Sequence, residues 1–310
     1  MNFERAAVIG TGMMGPGIAV ALAMGGVDAT IVGRTDASAS KGLDAARGQC
    51  HLLAEHGLAG PGILDRVKST SDLERAVGDA DLVIESTPED LAFKQDLFAR
   101  LERVAKPAAV LASNTSALSI TAIAARCSRP ERILTTHFWN PAFLMPLVEI
   151  VKGERTSSEI AEAVRALLRR CGKVPVLVKK DRPGQLGNRL QVALYREAIH
   201  IVEEGIADVE DVDLAAKCGF GLRLPVYGMF EHQDVVGLDL VLSVVDYVSP
   251  DLFREREAPG FLRQLVAGKK LGVKSGSGYY DWSTKNHEEV KKRRDSFVLE
   301  MAKRRHEQEA

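Results

Sequence analysis

His137 and Glu149 are the residues whose types and spacing best suit proton chemistry. His137 lies in Thr136-His137-Phe138-Trp139-Asn140-Pro141, and Glu149 in Met145-Pro146-Leu147-Val148-Glu149-Ile150-Val151. Both segments read as short β-runs around a Pro-containing turn. An antiparallel pairing centred on Phe143 puts His137 opposite Glu149. Cross-strand partners lie about 5 Å apart at Cβ, so the carboxylate can orient the imidazole and stabilise its protonated form. A general base for neutral-pH proton transfer is built this way. The competing interpretation is a core histidine in a structural ion pair.

The second constellation is at the amino terminus. Arg5-Ala6-Ala7-Val8-Ile9 reads as a buried parallel strand. It runs into Gly10-Thr11-Gly12-Met13-Met14-Gly15, after which Ile18, Ala19, Ala21, Leu22 and Ala23 recur at helical spacing. Gly10 allows a tight turn, Gly12 lets the backbone approach a pyrophosphate, and Gly15 allows close helix packing. The helix amino terminus offers free N–H groups to the anion. The whole turn, Thr11, Met13 and Met14 included, is assigned to a dinucleotide, and Ala29–Val32 supplies a second strand.

The elements that position these residues follow from pattern. Through residue 182, short apolar runs alternate with helical patterns, which predicts an α/β, Rossmann-type parallel sheet domain. Helices are expected over Ser38–Gly57, Leu91–Val104 and Ser158–Cys171. Strands are expected over Asp81–Glu85, Ala109–Ala112 and Val174–Val178. Asp181-Arg182-Pro183-Gly184 marks the junction, giving a dinucleotide-binding domain over 1–182 and an all-helical substrate and dimerisation domain over 183–310. Leu186, Leu190, Leu194, Ile201 and Val202 mark one long helix there, and Asp208–Val212 opens another with an acidic first turn that suits the helix dipole. The Leu- and Val-rich helices exceed what a small domain can bury, which predicts a homodimer. From Asn286 the chain is dense in charge, yet Val290, Phe297, Val298 and Met301 can share one face, as a solvated helix or as one packed on a second subunit.

Composition excludes several classes. The 310 residues suffice for two domains. With 41 basic against 42 acidic residues, nothing suggests nucleic acid or an anionic membrane as partner. No apolar stretch reaches the length of a membrane span, and Met1–Arg5 leads directly into a strand, with no signal-like segment. Cys50, Cys127, Cys171 and Cys218 lack paired spacing, so they read as reduced thiols of a cytoplasmic protein, with no metal site.

With these residues in place, the chain resembles the short-chain L-3-hydroxyacyl-CoA dehydrogenase family, including its λ-crystallin (L-gulonate 3-dehydrogenase) and L-carnitine dehydrogenase relatives. Six motifs in order carry the resemblance, to about Trp282: the Gly-rich turn with Met14, Ser86–Asp90 with Lys94, Ser113-Asn114-Thr115-Ser116, the His137–Glu149 block, Asp181–Gly184 with Asn188-Arg189-Leu190, and Lys274–Tyr280. The resemblance implies His137 as base, Glu149 as its partner, and Ser116 and Asn188 as substrate contacts near the reacting carbon. It implies Glu89, Lys94, Asn114, Ser116, Asn140 and Lys274 near the cofactor. The implied reaction is NAD(P)-dependent interconversion of a 3-hydroxyacyl substrate and its 3-oxo form, within fatty acid metabolism.

Two departures from the family pattern matter. An NAD-binding domain usually ends its second strand with Asp or Glu for the ribose hydroxyls; here Gly33 occupies that position and Arg34-Thr35 follows. Loss of the carboxylate, with Arg34 as an always-charged donor and Thr35 and Ser38 as hydroxyls, weakly favours NADP over NAD. The second departure concerns CoA. Between Asp36 and Arg66 the basic residues are only Lys41, Arg47 and Arg66, few for a phosphorylated ligand. Gln185 also replaces the usual aromatic after Pro183-Gly184, and Tyr227–His232 replaces a usual Gly-Pro-Phe-Glu segment. The alternative is therefore a dehydrogenase of a small non-CoA 3-hydroxy acid. A non-catalytic, crystallin-like structural protein is the remote alternative.

Overall fold

The computed structural model describes residues 1–60 and 62–309. The chain forms two compact units: Met1–Arg189 together with Arg293 and the residues after it, and Leu190–Lys292.

The first unit is built on one eight-stranded sheet of order β3-β2-β1-β4-β5-β6-β7-β8. The strands are β1 Arg5–Ile9, β2 Asp28–Val32, β3 Val67–Thr70, β4 Leu82–Glu85, β5 Val110–Ser113, β6 Ile133–Phe138, β7 Leu147–Lys152 and β8 Val174–Val178. Every residue of β4, β5 and β6 is buried, as a parallel sheet covered on both faces requires. The covering helices are α1 Gly15–Met24, α2 Asp36–Glu55, α3 Leu73–Asp79, α4 Leu91–Val104, the short α5 Ile120–Ile123, and α6 Ser158–Arg170. One core layer gathers Ile18, Leu22, Leu53 and Val164; the other gathers Val77, Phe98, Leu101 and Ile123. Strand order changes hand beside β1, between β2 and β4, so a crevice opens at the carboxyl ends of β1 and β4, where doubly wound sheets bind ligands.

All neighbouring strands are parallel except β6 and β7. That pair is antiparallel with His137 opposite Glu149, the register expected from a turn centred on Phe143. Lys173, 5% exposed, donates to the carbonyls of Ala142 (2.7 Å) and Met145 (3.0 Å) and so ties this turn to the start of β8. The helix expected over Ser38–Gly57 starts earlier, at Asp36. Thr35 and Ser38 form a reciprocal capping box there, which satisfies two otherwise orphaned N–H groups. β3 and α3 were not expected.

The second unit is helical: α7, which begins in the first unit (Gly187–Glu203), α8 Val209–Cys218, α9 Phe220–Arg223, α10 Met229–Val236, α11 Leu238–Val248 and α12 Gly260–Ala267. Pro259 and Leu265 are its only fully buried residues among those described. Tyr247 (88% exposed) and Phe230 (82%) lie open, along with most of the Leu and Val residues of α11. The last helix, α13, spans His287–Glu309. Its Leu299 is buried in the first unit's core and Val298 packs beside it, whereas Phe297 stays 55% exposed. Around Leu299 this helix therefore packs on the chain's own sheet domain, and Phe297 does not belong to the packed face. No helix among the described residues is long and apolar enough to cross a membrane.

Candidate active site

The carboxyl ends of β1 and β2 form a cradle whose shape depends on glycine. Gly10 has φ +121°, and a Cβ there would lie 2.3 Å from the Ser86 carbonyl oxygen. On Gly15 a Cβ would lie 1.9 Å from Gly10 O. These two contacts hold the turn against β4 and α1, and neither tolerates a side chain. Around Gly12 nothing lies within 4 Å of such an atom, so its backbone is open to a ligand. Thr11 is partly buried, Met13 is 75% exposed and Met14 packs on the core. α1 has no side-chain cap, which leaves its first N–H groups to an anion. This cradle fits a dinucleotide pyrophosphate.

At the end of β2 the acidic position is sterically closed. A Cβ on Gly33 would lie 2.5 Å from the backbone nitrogen of Ala39, so any side chain there requires α2 to move. Thr35 Oγ1 accepts from Ser38 N, and Ser38 Oγ accepts from Thr35 N. Both hydroxyls are thus engaged in capping, while Arg34 is exposed.

Beyond β4 and β5 lies a buried ionic network. Glu85 is fully buried, and its Oε1 accepts from Lys94 Nζ (2.5 Å), Thr87 N and Thr87 Oγ1. Ser113 Oγ donates to its Oε2 at 2.6 Å. Lys94, 1% exposed, also stands 3.9 Å from Glu89. The Glu89 carboxylate accepts from Thr115 Oγ1 (2.8 Å) and from Ser116 N (2.6 Å). Lys94 therefore sits behind the Ser116 loop and is not open to a ligand. Asn114 Oδ1 accepts from Phe138 N at 2.8 Å, joining the ends of β5 and β6.

His137 and Glu149 meet as the register dictates. His137 Nδ1 lies 2.7 Å from Glu149 Oε2, and both side chains are buried. An ionised carboxylate only accepts, so Nδ1 carries the hydrogen, and Nε2 has no partner among the described residues. Burial pushes the Glu149 carboxyl up, but hydrogen bonds from His137, Gly187, Leu186 and Trp139 outweigh it and hold the group below its ordinary value. Three of those donors were not foreseen: Leu186 N and Gly187 N on Oε1, each at 2.8 Å, and Trp139 Nε1 on Oε2 at 3.1 Å.

The segment after the junction links the two clusters. Gln185, 5% exposed with φ +54°, donates from Nε2 to Thr115 O at 2.8 Å. Asn188 Nδ2 donates to Ser116 O at 3.0 Å. The hydroxyl of Ser116 has no protein partner among the described residues and remains available. Asn140 is exposed beside a cis bond to Pro141. Lys274 belongs to the helical unit, in the turn Val273–Ser275. No group of three or more metal-ligating side chains occurs among the described residues.

An open glycine cradle at the switch point of a doubly wound sheet, with an imidazole–carboxylate pair on β6 and β7 of the same sheet, suits a dinucleotide-dependent oxidoreductase. The comparisons specify it. Residues 5–182 match the model of the 3-hydroxyacyl-CoA dehydrogenase NAD binding domain, and residues 184–282 that of the 3-hydroxyacyl-CoA dehydrogenase C-terminal domain. The chain belongs to the 3-hydroxyacyl-CoA dehydrogenase family and is an oxidoreductase acting on CH–OH groups. A probable 3-hydroxybutyryl-CoA dehydrogenase of Bacillus subtilis is 37% identical over 92% of this chain and 99% of its own. The 5-formyl-3-hydroxy-2-methylpyridine 4-carboxylate 5-dehydrogenase of Mesorhizobium japonicum is 35% identical over 88% of this chain and 89% of its own. A crystal structure of a dehydrogenase of that name, described as an NAD+ dependent dismutase, superimposes with a TM-score of 0.92. It is 32% identical and covers 98% of this chain and 99% of its own.

Proposed function

We propose that this chain oxidises the secondary alcohol of a 3-hydroxyacyl substrate to the 3-oxo form, with His137 as the base. The observation that carries this reading is the buried Glu149 on Nδ1 with Nε2 left free. When bound, the nicotinamide supplies the hydride acceptor for the carbinol carbon. His137 Nε2 takes the hydroxyl proton as the O–H bond breaks, and the charge arising on the ring is matched by Glu149, already ionised. Ser116 Oγ and the Asn188 amide donate to the oxygen that becomes a carbonyl. Gly10 to Gly15 hold the pyrophosphate, with Asn114, Asn140 and Lys274 as further cofactor contacts. Glu89 acts by fixing Ser116 N, and Lys94 by fixing Glu85 and Glu89. In this reading residues 1–182 form the cofactor-binding domain and 183–310 a helical substrate and dimerisation domain. The test is NAD(P)H absorbance against CoA-linked and free 3-hydroxy acids. His137→Gln is expected to lose at least ~10²-fold in turnover while still binding cofactor; a near-normal rate would remove the mechanism.

One observation favours a second substrate reading, a small non-CoA hydroxy acid. Of the three basic residues between Asp36 and Arg66, Arg47 pairs with Asp44 and Arg66 with Asp28. Lys41 alone remains for a CoA phosphate, and the similarity to the pyridine-carboxylate dehydrogenase runs through nearly the whole chain. Turnover of CoA thioesters but not of free acids would exclude it.

NAD is the cofactor supported by the family and by the NAD+-dependent relative. With Thr35 and Ser38 engaged in capping, a preference for NADP rests on Arg34, with Lys41 as a second cation. Arg34→Ala should then lower kcat/KM with NADP+ about tenfold and leave NAD+ unchanged. Equal effects on both would reduce Arg34 to an adenine contact. The exposed apolar helices of the second unit support a homodimer, and the four free cysteines a reducing, cytoplasmic setting; the family match supports a role in fatty acid metabolism.

A further inference from the structure

Glu149 accepts four hydrogen bonds, divided unequally in kind. Oε1 takes two backbone N–H groups, whereas Oε2 takes two side-chain rings, the imidazole of His137 and the indole of Trp139. Two donors on one oxygen compete for its charge. Trp139 is held in that place by its surroundings. A Cβ on Gly187 would come within 2.5 Å of Trp139 Cζ2 and 3.4 Å of Glu149 Oε2, so the glycine makes the room in which the indole lies. The indole also sits beside its competitor, with ring centroids 5.6 Å apart and planes inclined at 53°.

We propose that Trp139 is a positioning residue for proton transfer: its N–H fixes Glu149 Oε2 against Nδ1 and moderates the hold of that oxygen on the protonated imidazole. A base that hands its proton on must not be locked in its charged form. With the indole N–H removed, the full charge of Oε2 faces one donor, and the imidazolium is stabilised further. His137 and Glu149 are the two titratable groups of this cluster. The charged residues of the adjoining segment are engaged elsewhere or exposed: Asp181 accepts from Ser119 Oγ and Thr121 N, Arg189 donates to Pro183 O, and Arg182 is exposed.

The inference rests on His137 being the base, and its test separates the two. Two variants remove the N–H: Trp139→Phe, and replacement of Trp139 by benzothienyl-alanine, which keeps the ring shape with sulfur in place of N–H. The acid limb of kcat/KM for alcohol oxidation is measured in each. The Cε1 proton resonance of His137 is followed by NMR across the same pH range in the cofactor-free protein, assigned by its loss in His137→Gln. Both midpoints are expected to move to higher pH by about half to one unit in both variants, with plateau kcat lowered less than about tenfold. An unmoved NMR midpoint in the benzothienyl variant overturns the proposal, as does a rate that falls equally at every pH. A native protein that oxidises no secondary alcohol would defeat the assignment of the base, while the NMR midpoints would still decide whether Trp139 and His137 compete for Oε2.

Discussion

In the first unit Lys94 and Glu85 lie side by side, 1% and 0% exposed, whereas in the helical unit Lys217 and Asp213 face each other at 67% and 46%. The apolar residues divide in the same way. Phe98, Leu22 and Ile84 vanish into the sheet domain, while Leu240, Leu242 and Val245 of α11 stand open. The first unit meets its own requirement for burial; the second has apolar faces that one copy of the chain leaves uncovered. Buried charge is tolerated where packing is complete and every donor is answered, as around Glu85. It is absent from the described residues of a unit that has almost no interior.

The sharpest test of this contrast is Lys94→Met. It leaves the Glu85 carboxylate buried with only hydroxyl and N–H partners, and is expected to destabilise the protein by about 3–5 kcal/mol in urea unfolding. A loss below about 1 kcal/mol would erase the distinction. Next is the pH dependence of Lys173, whose amine burial pushes down from 10.5 to about 8. Between those values the unfolded chain binds the proton that the native chain has released. Stability therefore rises with pH across that window, and the cost of burying the charge is full below about 8. The two carbonyls that hold the amine reduce this cost, so the rise is expected to be about 2 kcal/mol, and absent in Lys173→Met. Urea midpoints at roughly pH 7 and pH 10 decide it. In the helical unit, the proposed homodimer makes Leu242→Glu raise the dissociation constant at least about tenfold, read by sedimentation; a native chain that sediments as a monomer at micromolar concentration would remove the dimer, and unchanged association in the variant would move its interface. The smallest effect is expected at Arg263, paired with Glu257 in water. Arg263→Ala should cost less than about 1 kcal/mol, and nothing measurable in high salt.

Legibility in the sequence follows the same boundary. The His137–Glu149 register was readable because a period of two fixes which residues face each other once the turn is placed. Gly10 and Gly15 were readable because their contacts are backbone on backbone. β3 was not, since Val67 is its one fully buried residue and the polar Lys68, Ser69 and Thr70 complete no apolar run. α3 is two turns long and carries a single fully buried residue, Val77. The burial of Lys94 was hidden because lysine is almost never fully buried unless paired, and its partner Glu85 read only as the end of a strand. Trp139 was in plain view, but its bond to Glu149 depends on the room left by Gly187, which lies far along the chain and outside any local pattern. In the second unit leucine spacing placed α7 and an acidic first turn placed α8, but neither signal says what covers the exposed leucines.

The return of the chain at α13 has a thermodynamic consequence. The polypeptide leaves the sheet domain at Arg189, forms the helical unit, and comes back to bury Leu299. While Leu299 holds, an unfolded helical unit is a closed loop rather than a free tail, and its disordered ensemble has fewer conformations to gain. This is the effect of a cross-link, achieved without a covalent bond. The residues from Arg293 onward thus restrain the unfolding of the helical unit by acting on the state in which its helices are absent.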